Sequence, residues 1–362
     1  MRRVAVIGTG LIGGSVGLAL RRAGAEVRGY DRDVVRAADA KERGAVDEFA
    51  ASLREAVSDV DAAVVAVPVG AVAELVVEAL KAGAPVVTDV GSVKGPVVDA
   101  VGEMQPDLAS RFVGGHPMAG SEQDGIEGAD ADLFVGATWV LTPTEYTEIG
   151  AFTSLRALVA DLGAEVVAMT PDQHDALVAV VSHVPQLAAT TLMDVAAASG
   201  EEHSTLLRLA AGGFRDMTRI AAGHPGIWPD ICVANRGAIV KALDGYLDAL
   251  LRVRGFVDGG NRAALLDVLE RARAARRNLP VGAPADEELV ELRVPVSDRP
   301  GVLAEVTTLA GALGINIADL EIAHSMEGAG GVLVLVISAR HAGALEAALL
   351  ERGYHVSRTA VS

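Results

Sequence analysis

Several residue types are scarce in this chain of 362 residues, and each shortage excludes a class of protein. A single cysteine, Cys232, excludes an internal disulfide and favours a reducing compartment, so we expect a cytoplasmic protein. Only two Trp, four Tyr and six Phe stand among 51% apolar residues, so Ala, Val, Leu and Ile must fill the cores. Basic residues number 31 against 48 acidic ones, and the net charge of −17 argues against nucleic acid or anionic lipid as a partner.

Long uncharged apolar runs are scarce as well. The longest, residues 176–193, carries no formal charge, but it contains Ser182, His183, Pro185 and Gln186. We therefore predict a buried helix there and no membrane span. The N-terminus reaches its glycines too early for a secretory signal, and no metal site is predicted.

The order of apolar runs predicts three domains of an α/β protein. Residues 1–168 alternate Val/Ala/Ile runs with longer Ala/Leu/Arg/Glu segments, which is typical of βαβ units around a parallel sheet. Helical patterns fill residues 169–279, and the prolines and glycine of residues 280–287 predict a linker. Residues 288–362 follow a βαββαβ pattern, which predicts a small ferredoxin-like domain.

The middle domain is nearly neutral and strongly apolar, whereas the other two are acidic. Such a helical surface suits an interface between two copies of the chain, so we predict a homodimer.

A glycine-rich turn of the form G-x-G-x-x-G follows the first predicted strand. Gly8 is expected to make the turn, Gly10 to let a pyrophosphate approach, and Gly13 to allow close packing of helix and strand. Asp31 ends the second strand and suits the ribose hydroxyls of NAD, because it would repel the 2′-phosphate of NADP. Arg32 would partly offset that repulsion. The predicted NAD-binding residues are Gly8, Gly10, Leu11, Ile12, Gly13, Asp31, Arg32, Val67 and Pro68.

Two segments predicted as strand-end loops, residues 88–95 and 114–122, are rich in small and polar residues. His116 in the second either caps a strand or acts as the base that takes a proton from an alcohol while hydride leaves the adjacent carbon. Its place in a dinucleotide-binding sheet, with Ser92 on the neighbouring loop as an orienting partner, favours catalysis. Lys94 competes for this role, but we interpret it as a solvated residue at a helix start.

Polar residues in the helical domain suggest a second part of the site. His183 and Gln186 interrupt an apolar helix, so a ligand or facing side chains must satisfy them. Asp216 and Arg219 are three residues apart and form either a surface ion pair or, with Arg219 facing a cleft, a clamp for a substrate carboxylate.

The chain resembles the prephenate and arogenate dehydrogenase family in five segments that occur in family order with family-like spacing. They are G-T-G-L-I-G-G-S at 8–15, D-V-G-S-V-K-G at 89–95, G-G-H-P-M-A-G-S-E at 114–122, V-S-H-V-P-Q at 181–186 and G-G-F-R-D-M-T-R-I at 212–220. The resemblance implies NAD-dependent oxidative decarboxylation of prephenate to 4-hydroxyphenylpyruvate in tyrosine biosynthesis. Its alternative is the conversion of arogenate, the aminated relative of prephenate, directly to tyrosine.

The resemblance also implies roles for individual residues. His116 would accept the hydrogen bond from the ring hydroxyl, with Ser92 orienting it, and Arg219 would anchor a substrate carboxylate. Several bacterial members have histidine where this chain has Gln186, so the choice between prephenate and arogenate stays open. The implied substrate-binding residues are Arg219, His183, Gln186, Ser121, Glu122 and Asp216, of which Glu122 and Asp216 would pair with the arginine and gate the site.

The C-terminal domain resembles an ACT domain in residues 294–303 and 314–317. This resemblance implies feedback by tyrosine or another aromatic amino acid, with Asp298, Gly301 and Asn316 as effector-binding residues. A dimerisation module without a ligand is an equal alternative.

Two other functions compete with this interpretation. A hydroxyacid dehydrogenase would share the glycine turn but not the histidine segment or the C-terminal domain. A non-catalytic sensor of NAD and amino acids would need neither His116 nor Ser92 nor Arg219, and the presence of all three argues against it.

Overall fold

The structure is a computed structural model that describes residues 2–120, 123, 125–202, 210–223, 225–277, 289–297, 299–324 and 330–360. The chain forms two compact units, Met1–Asp248 and Ala249–Ser362. Ser121, Glu122 and Asp298, which the sequence analysis named as site residues, lie outside the described residues.

One sheet with the strand order β3-β2-β1-β4-β5-β6-β7-β8 organises the first unit in its described part. Its strands are β1 Arg3–Ile7, β2 Glu26–Tyr30, β3 Glu48–Phe49, β4 Ala62–Val65, β5 Val87–Asp89, β6 Phe112–Pro117, β7 Thr138–Thr142 and β8 Glu165–Ala168. The helices between them are α1 Leu11–Arg22, α2 Val34–Glu42, α3 Leu53–Ala56, α4 Val69–Lys81, α5 Gly95–Met104 and α6 Ile149–Asp161. The strand order over β1 to β6 is that of a dinucleotide-binding fold, so the predicted Rossmann-type domain is confirmed.

Small aliphatic side chains fill both faces of this sheet. Val4 and Val6 of β1 belong to a core on one face, while Ala5 and Ile7 belong to a core on the other. A strand that is buried on both faces must be apolar at every position, and this explains the continuous Val/Ala/Ile runs of the sequence.

The expectation of a wholly parallel sheet is wrong at one edge. Strand β7 pairs antiparallel with β6, and β8 is parallel to β7. The sequence analysis also lacked β3, which is only two residues long. Apolar periodicity indicates that a segment is a strand but not which way it runs, so neither feature could be predicted from it.

Helices follow the sheet. They are α7 Pro171–Val178, α8 Val184–Glu202, α9 Gly212–Thr218, α10 Trp228–Ala234, α11 Arg236–Asp258 and α12 Arg262–Arg277. Thr170 and Gln173 form a reciprocal capping box that begins α7, and a π-helical turn, Ala179–His183, joins α7 to α8. Pro171–Ala198 is long and apolar enough to cross a membrane by length and composition alone, which is weak evidence for a single helix. Only 33% of its most apolar window is buried, so the prediction of a buried helix is wrong for the single chain.

The C-terminal unit contains a small antiparallel sheet of order β10-β11-β9-β12. Its elements are β9 Leu289–Ser297, α13 Val302–Ala312, β10 Ile317–His324, β11 Gly330–Ser338, α14 Ala339–Glu351 and β12 Ser357–Ala360. Leu292 and Leu335 of the sheet and Leu345 and Leu349 of α14 are buried together in its core. The element order is the predicted βαββαβ.

Candidate active site

The glycine turn between β1 and α1 has a conformation that only glycine adopts without strain. Gly8 has φ +92°, and a Cβ there would lie 2.2 Å from the carbonyl oxygen of Ala66. A Cβ on Gly13 would lie 1.9 Å from the carbonyl oxygen of Gly8. Around Gly10 the space is open to 4 Å. The turn therefore leaves a cradle at Gly10 that a Cβ would partly fill.

The residues around this cradle fit NAD. Leu11 and Ile12 open α1, and the capping residue Gly10 offers no side chain to its N–H groups, which leaves them for the phosphates of a ligand. Asp31 Oδ2 accepts a hydrogen bond from Thr9 N at 3.0 Å, so its carboxylate stands at the turn itself. The remaining predicted residues are the exposed Arg32, the half-buried Val67 and Pro68, the capping residue of α4.

Two alanine substitutions separate folding from cofactor binding. We expect Gly13→Ala to lower the free energy of unfolding by about 1–3 kcal/mol, because its Cβ meets backbone. Gly10→Ala should stay within about 0.5 kcal/mol of the wild type. It should nevertheless raise the Kd for NAD about tenfold or more, which is about 1.4 kcal/mol. Urea unfolding and calorimetric titration measure the two effects; unchanged NAD binding by Gly10→Ala would contradict the assignment of the cradle.

His116 lies within strand β6 and not in the strand-end loop that we expected. Antiparallel pairing with β7 continues the strand to Pro117, with His116 opposite Val140. The glycines before it serve close packing, because a Cβ on Gly115 would lie 2.5 Å from the carbonyl oxygen of Asp89. The side chain of His116 is thus held by a rigid strand instead of a flexible loop.

Lys94 is not a solvated helix-start residue, contrary to the sequence interpretation. Its side chain is fully buried, forms an ion pair with the buried Asp89, and donates to the carbonyl oxygen of Gly115 at 2.8 Å. Burial lowers the pKa of Lys94, while the charge of Asp89 acts in the opposite direction. The ammonium group needs Asp89 because a buried charge without a partner is costly.

His116 is kept neutral by its surroundings. Desolvation is the largest cause that lowers its pKa well below the ordinary value of a histidine, and the charge of Lys94 is the next. At neutral pH the ring therefore has a lone pair for a proton.

The residues at the start of α7 complete the surroundings of His116. His116 Nδ1 lies 2.8 Å from His174 Nε2, and His174 Nδ1 lies 2.8 Å from Asp175 Oδ1. The Asp175 carboxylate also accepts hydrogen bonds from Lys94 N and Gly95 N, both at 2.8 Å, so it caps α5. These contacts tie α7 to the sheet.

The π-helical turn lies beside this cluster and presents His183. Asn235 Nδ2 lies 3.3 Å from His183 Nδ1 and donates to the carbonyl oxygen of Asp175 at 2.9 Å. Desolvation lowers the pKa of His183, although the charge of Asp175 raises it in part. Gln186 is buried, with its amide 3.5 Å from the hydroxyl of Thr190. Asn235 is thus a facing partner of His183, whereas the contact of Gln186 is with a residue one turn along its own helix. A π turn such as this one is frequent at functional sites.

The other predicted residues that the structure describes lie on separate segments of the chain. Ser92 is half-buried in the loop after β5, while Asp216 and Arg219 are exposed on α9 and the 3-10 turn that follows it. Gly301, with φ +88°, precedes α13 in the second unit, and Asn316 is exposed before β10. The roles of these residues stay predictions.

Four residues around His116 were absent from the candidates: His174, Asp175, Asp89 and Asn235. One sequence signal was available for the first two, since adjacent titratable residues at the start of a long apolar helix need buried partners. Asn235 gave no comparable signal, because its partners Asp175 and His183 are 60 and 52 positions away. Asp89 is only five positions from Lys94, but no sequence pattern shows that the two side chains turn inward to each other.

Comparison with known proteins shows the family to which the chain belongs. The family described as "Prephenate dehydrogenase, nucleotide-binding domain" matches residues 16–168, and "Prephenate dehydrogenase, dimerization domain" matches residues 170–271. The chain is 33% identical to the prephenate dehydrogenase of Bacillus subtilis over 91% of this chain and 90% of that one.

Two solved structures are similar as well. One is the prephenate dehydrogenase of A. aeolicus in complex with hydroxyphenyl propionate and NAD+, with a TM-score of 0.72, 31% identity, and coverage of 77% of this chain and 99% of that one. The other is the Synechocystis arogenate dehydrogenase, with a TM-score of 0.66, 31% identity, and coverage of 76% and 98%. The chain therefore belongs to the prephenate dehydrogenase family and is an NAD-dependent oxidoreductase.

Proposed function

We propose that the chain oxidises and decarboxylates prephenate to 4-hydroxyphenylpyruvate with NAD. The observation that carries this proposal is His116, a neutral imidazole fixed on the sheet that also carries the dinucleotide turn. Bound NAD supplies the hydride acceptor. The chain's own residues have to align the ring hydroxyl and move its proton.

His116 performs the proton step. Its neutral ring takes the hydroxyl proton of prephenate as the carbinol carbon is oxidised, and it returns that proton to the phenol oxygen once the ring carboxylate has left as CO₂. Burial and, after it, the charge of Lys94 lower the pKa of His116 and so keep the imidazole neutral before the reaction. Lys94 does not take the proton itself, because its ammonium is already bound to Asp89 and Gly115. Loss of CO₂ and aromatisation make the reaction effectively irreversible.

The test is the formation of reduced nicotinamide on adding prephenate to the purified protein with NAD. We expect turnover with NAD and prephenate. Absence of turnover with both prephenate and arogenate would refute the enzyme assignment and favour the sensor alternative.

Arogenate is the second candidate substrate. Gln186 is a buried neutral amide and cannot provide the positive charge that favours the carboxylate of a pyruvyl side chain. The similar Synechocystis structure is an arogenate dehydrogenase. A comparison of kcat/KM for the two substrates decides which one the enzyme prefers.

The carboxylate at Asp31 makes NAD the expected cofactor over NADP. Replacing it by Ser removes the charge that repels a 2′-phosphate, so we expect the ratio of kcat/KM with NADP to kcat/KM with NAD to rise about tenfold or more. Wild-type enzyme that works better with NADP would refute the assignment of Asp31.

For the substrate carboxylate we propose Arg219 as the anchor, with Glu122 and Asp216 as residues that pair with it and gate the site. We propose Ser121 as a further substrate-binding residue and Ser92 as the residue that orients His116. Arg219 lies at an exposed helix end in the family's matched dimerisation segment. Arg219→Ala should chiefly raise the KM for prephenate, and a variant with normal KM would remove this residue from the binding site.

The helical segment supports a homodimer. It belongs to the family's dimerisation domain, and many of its large apolar side chains are exposed in the single chain. Such exposure is typical of an interface. The exposed apolar side chains of the helical segment include Leu177, Val181, Val195, Val233, Leu247 and Leu251. Light scattering at micromolar concentration should give twice the mass of the chain. We further propose that the protein is cytoplasmic.

We also propose three domains, which span residues 1–168, 169–279 and 288–362, with a linker at 280–287. We propose that the third is an ACT domain, and the βαββαβ order of its elements supports this. Calorimetric titration with tyrosine, phenylalanine and tryptophan tests whether Asp298, Gly301 and Asn316 form an effector site; no heat and unchanged kinetics would leave only a dimerisation role.

A further inference from the structure

Three side chains, His116, His174 and Asp175, are connected in that order by two short polar contacts. His116 Nδ1 lies 2.8 Å from His174 Nε2, and His174 Nδ1 lies 2.8 Å from Asp175 Oδ1. His174 is 1% exposed and Asp175 7%, so water does not compete for these contacts. Neither His174 nor Asp175 was among the residues predicted for the site.

The side chain of Asp175 accepts hydrogen bonds on both of its oxygens. Oδ1 accepts from Lys94 N and Oδ2 accepts from Gly95 N, both at 2.8 Å. These contacts suit the ionised carboxylate, which has no hydrogen to donate. The contact with His174 can then form only if His174 Nδ1 carries a hydrogen and donates it.

Donation by His174 Nδ1 determines which atom donates in the contact between His174 and His116. In the neutral form of His174 with its hydrogen on Nδ1, the lone pair is on Nε2 and this nitrogen is an acceptor. In that form, His116 Nδ1 is the donor in their contact. The lone pair of His116 is then on Nε2, the ring nitrogen that does not contact His174.

We propose that His174 and Asp175 are positioning residues that hold His116 in the tautomer with its hydrogen on Nδ1 and its base on Nε2. The chemical part of this inference rests on the proposed function, in which His116 takes a proton from the substrate hydroxyl. Without His174, the His116 ring is free to carry its hydrogen on Nε2, where it cannot accept another. When His116 takes the proton, the Asp175 carboxylate stabilises the positive charge through His174.

The tautomer is observable in the protein without substrate. Nuclear magnetic resonance of protein with ¹⁵N-labelled histidine distinguishes ring nitrogens with and without hydrogen, and the His116 signals are assigned by their loss in His116→Asn. We expect the wild type to show hydrogen on Nδ1 and none on Nε2. Hydrogen on Nε2 of His116 at neutral pH would overturn the proposal.

Two variants at position 174 form a matched pair. In His174→Gln the amide oxygen can still accept from His116 Nδ1, so we expect the tautomer to be kept and kcat to stay within about tenfold of the wild type. In His174→Leu no acceptor remains, and kcat should fall about a hundredfold or more, while the KM for NAD changes less than about twofold. A mixed or reversed His116 tautomer should accompany that loss.

The outcomes separate this proposal from the proposed function and from mere destabilisation. Normal kcat in His174→Leu, or equal losses in both variants, would refute the positioning role. If His174→Leu does not fold, the wild-type spectrum and His174→Gln still decide it. Failure of the wild type to oxidise prephenate or arogenate, with the Nδ1–H tautomer present, would refute the proposed function alone.

Discussion

Replacing His116 by Asn is expected to lower kcat by about 10²–10⁴-fold, the range that a positioned general base contributes. The asparagine amide can keep the contact that His116 Nδ1 makes with His174 Nε2, but it has no basic nitrogen at the position of Nε2. The hydroxyl proton then has no acceptor. Initial rates of nicotinamide reduction measure the loss.

Binding should change little in the same variant. His116 lies on β6, whereas the glycine turn proposed for the cofactor follows β1, so the Kd for NAD is expected to stay within about threefold. His355→Asn is the matched control, because His355 is exposed in the second unit. Near-normal turnover in His116→Asn would exclude His116 as the base.

The cofactor half of the site could be predicted because its signals are local. Gly8, Gly13 and Asp31 belong to one βαβ unit, and each has a conformational or charge requirement that appears as a residue type at a fixed spacing. The helical segment was equally visible from its long apolar periodicity. Each of these signals lies within one structural unit, so it could be inferred without knowing the rest of the fold.

The catalytic half depends on contacts between distant residues, and there the sequence was misleading. Lys94 has the pattern of a solvated helix start, and only the fold shows that its side chain turns inward to Asp89. His116 and His174 are 58 positions apart and meet because α7 packs against the sheet. The direction of β7, which makes His116 part of a strand, has no signature in composition.

The ion pair of Lys94 and Asp89 leads to the largest expected change in stability. Asp89→Asn leaves the Lys94 ammonium buried without its counter-charge, and breaking a buried pair in this way costs about 3–5 kcal/mol. Asp89 also accepts hydrogen bonds from Gly91 N and Gly115 N, of which an amide oxygen can keep only part. Urea unfolding should therefore give a much lower free energy of unfolding, and a loss under about 1 kcal/mol would contradict it.

Adding Lys94→Met to Asp89→Asn removes the unpaired charge, so the double variant should be more stable than the single one. The double variant also lacks the Lys94 charge that, after desolvation, does most to lower the pKa of His116. That pKa must rise, and more of His116 is protonated at a given acidic pH. Because only the neutral ring accepts the hydroxyl proton, the acid limb of the kcat profile should move to higher pH. A limb that stays in place would show that burial alone keeps His116 neutral, and Lys94 would then serve the fold without tuning the base.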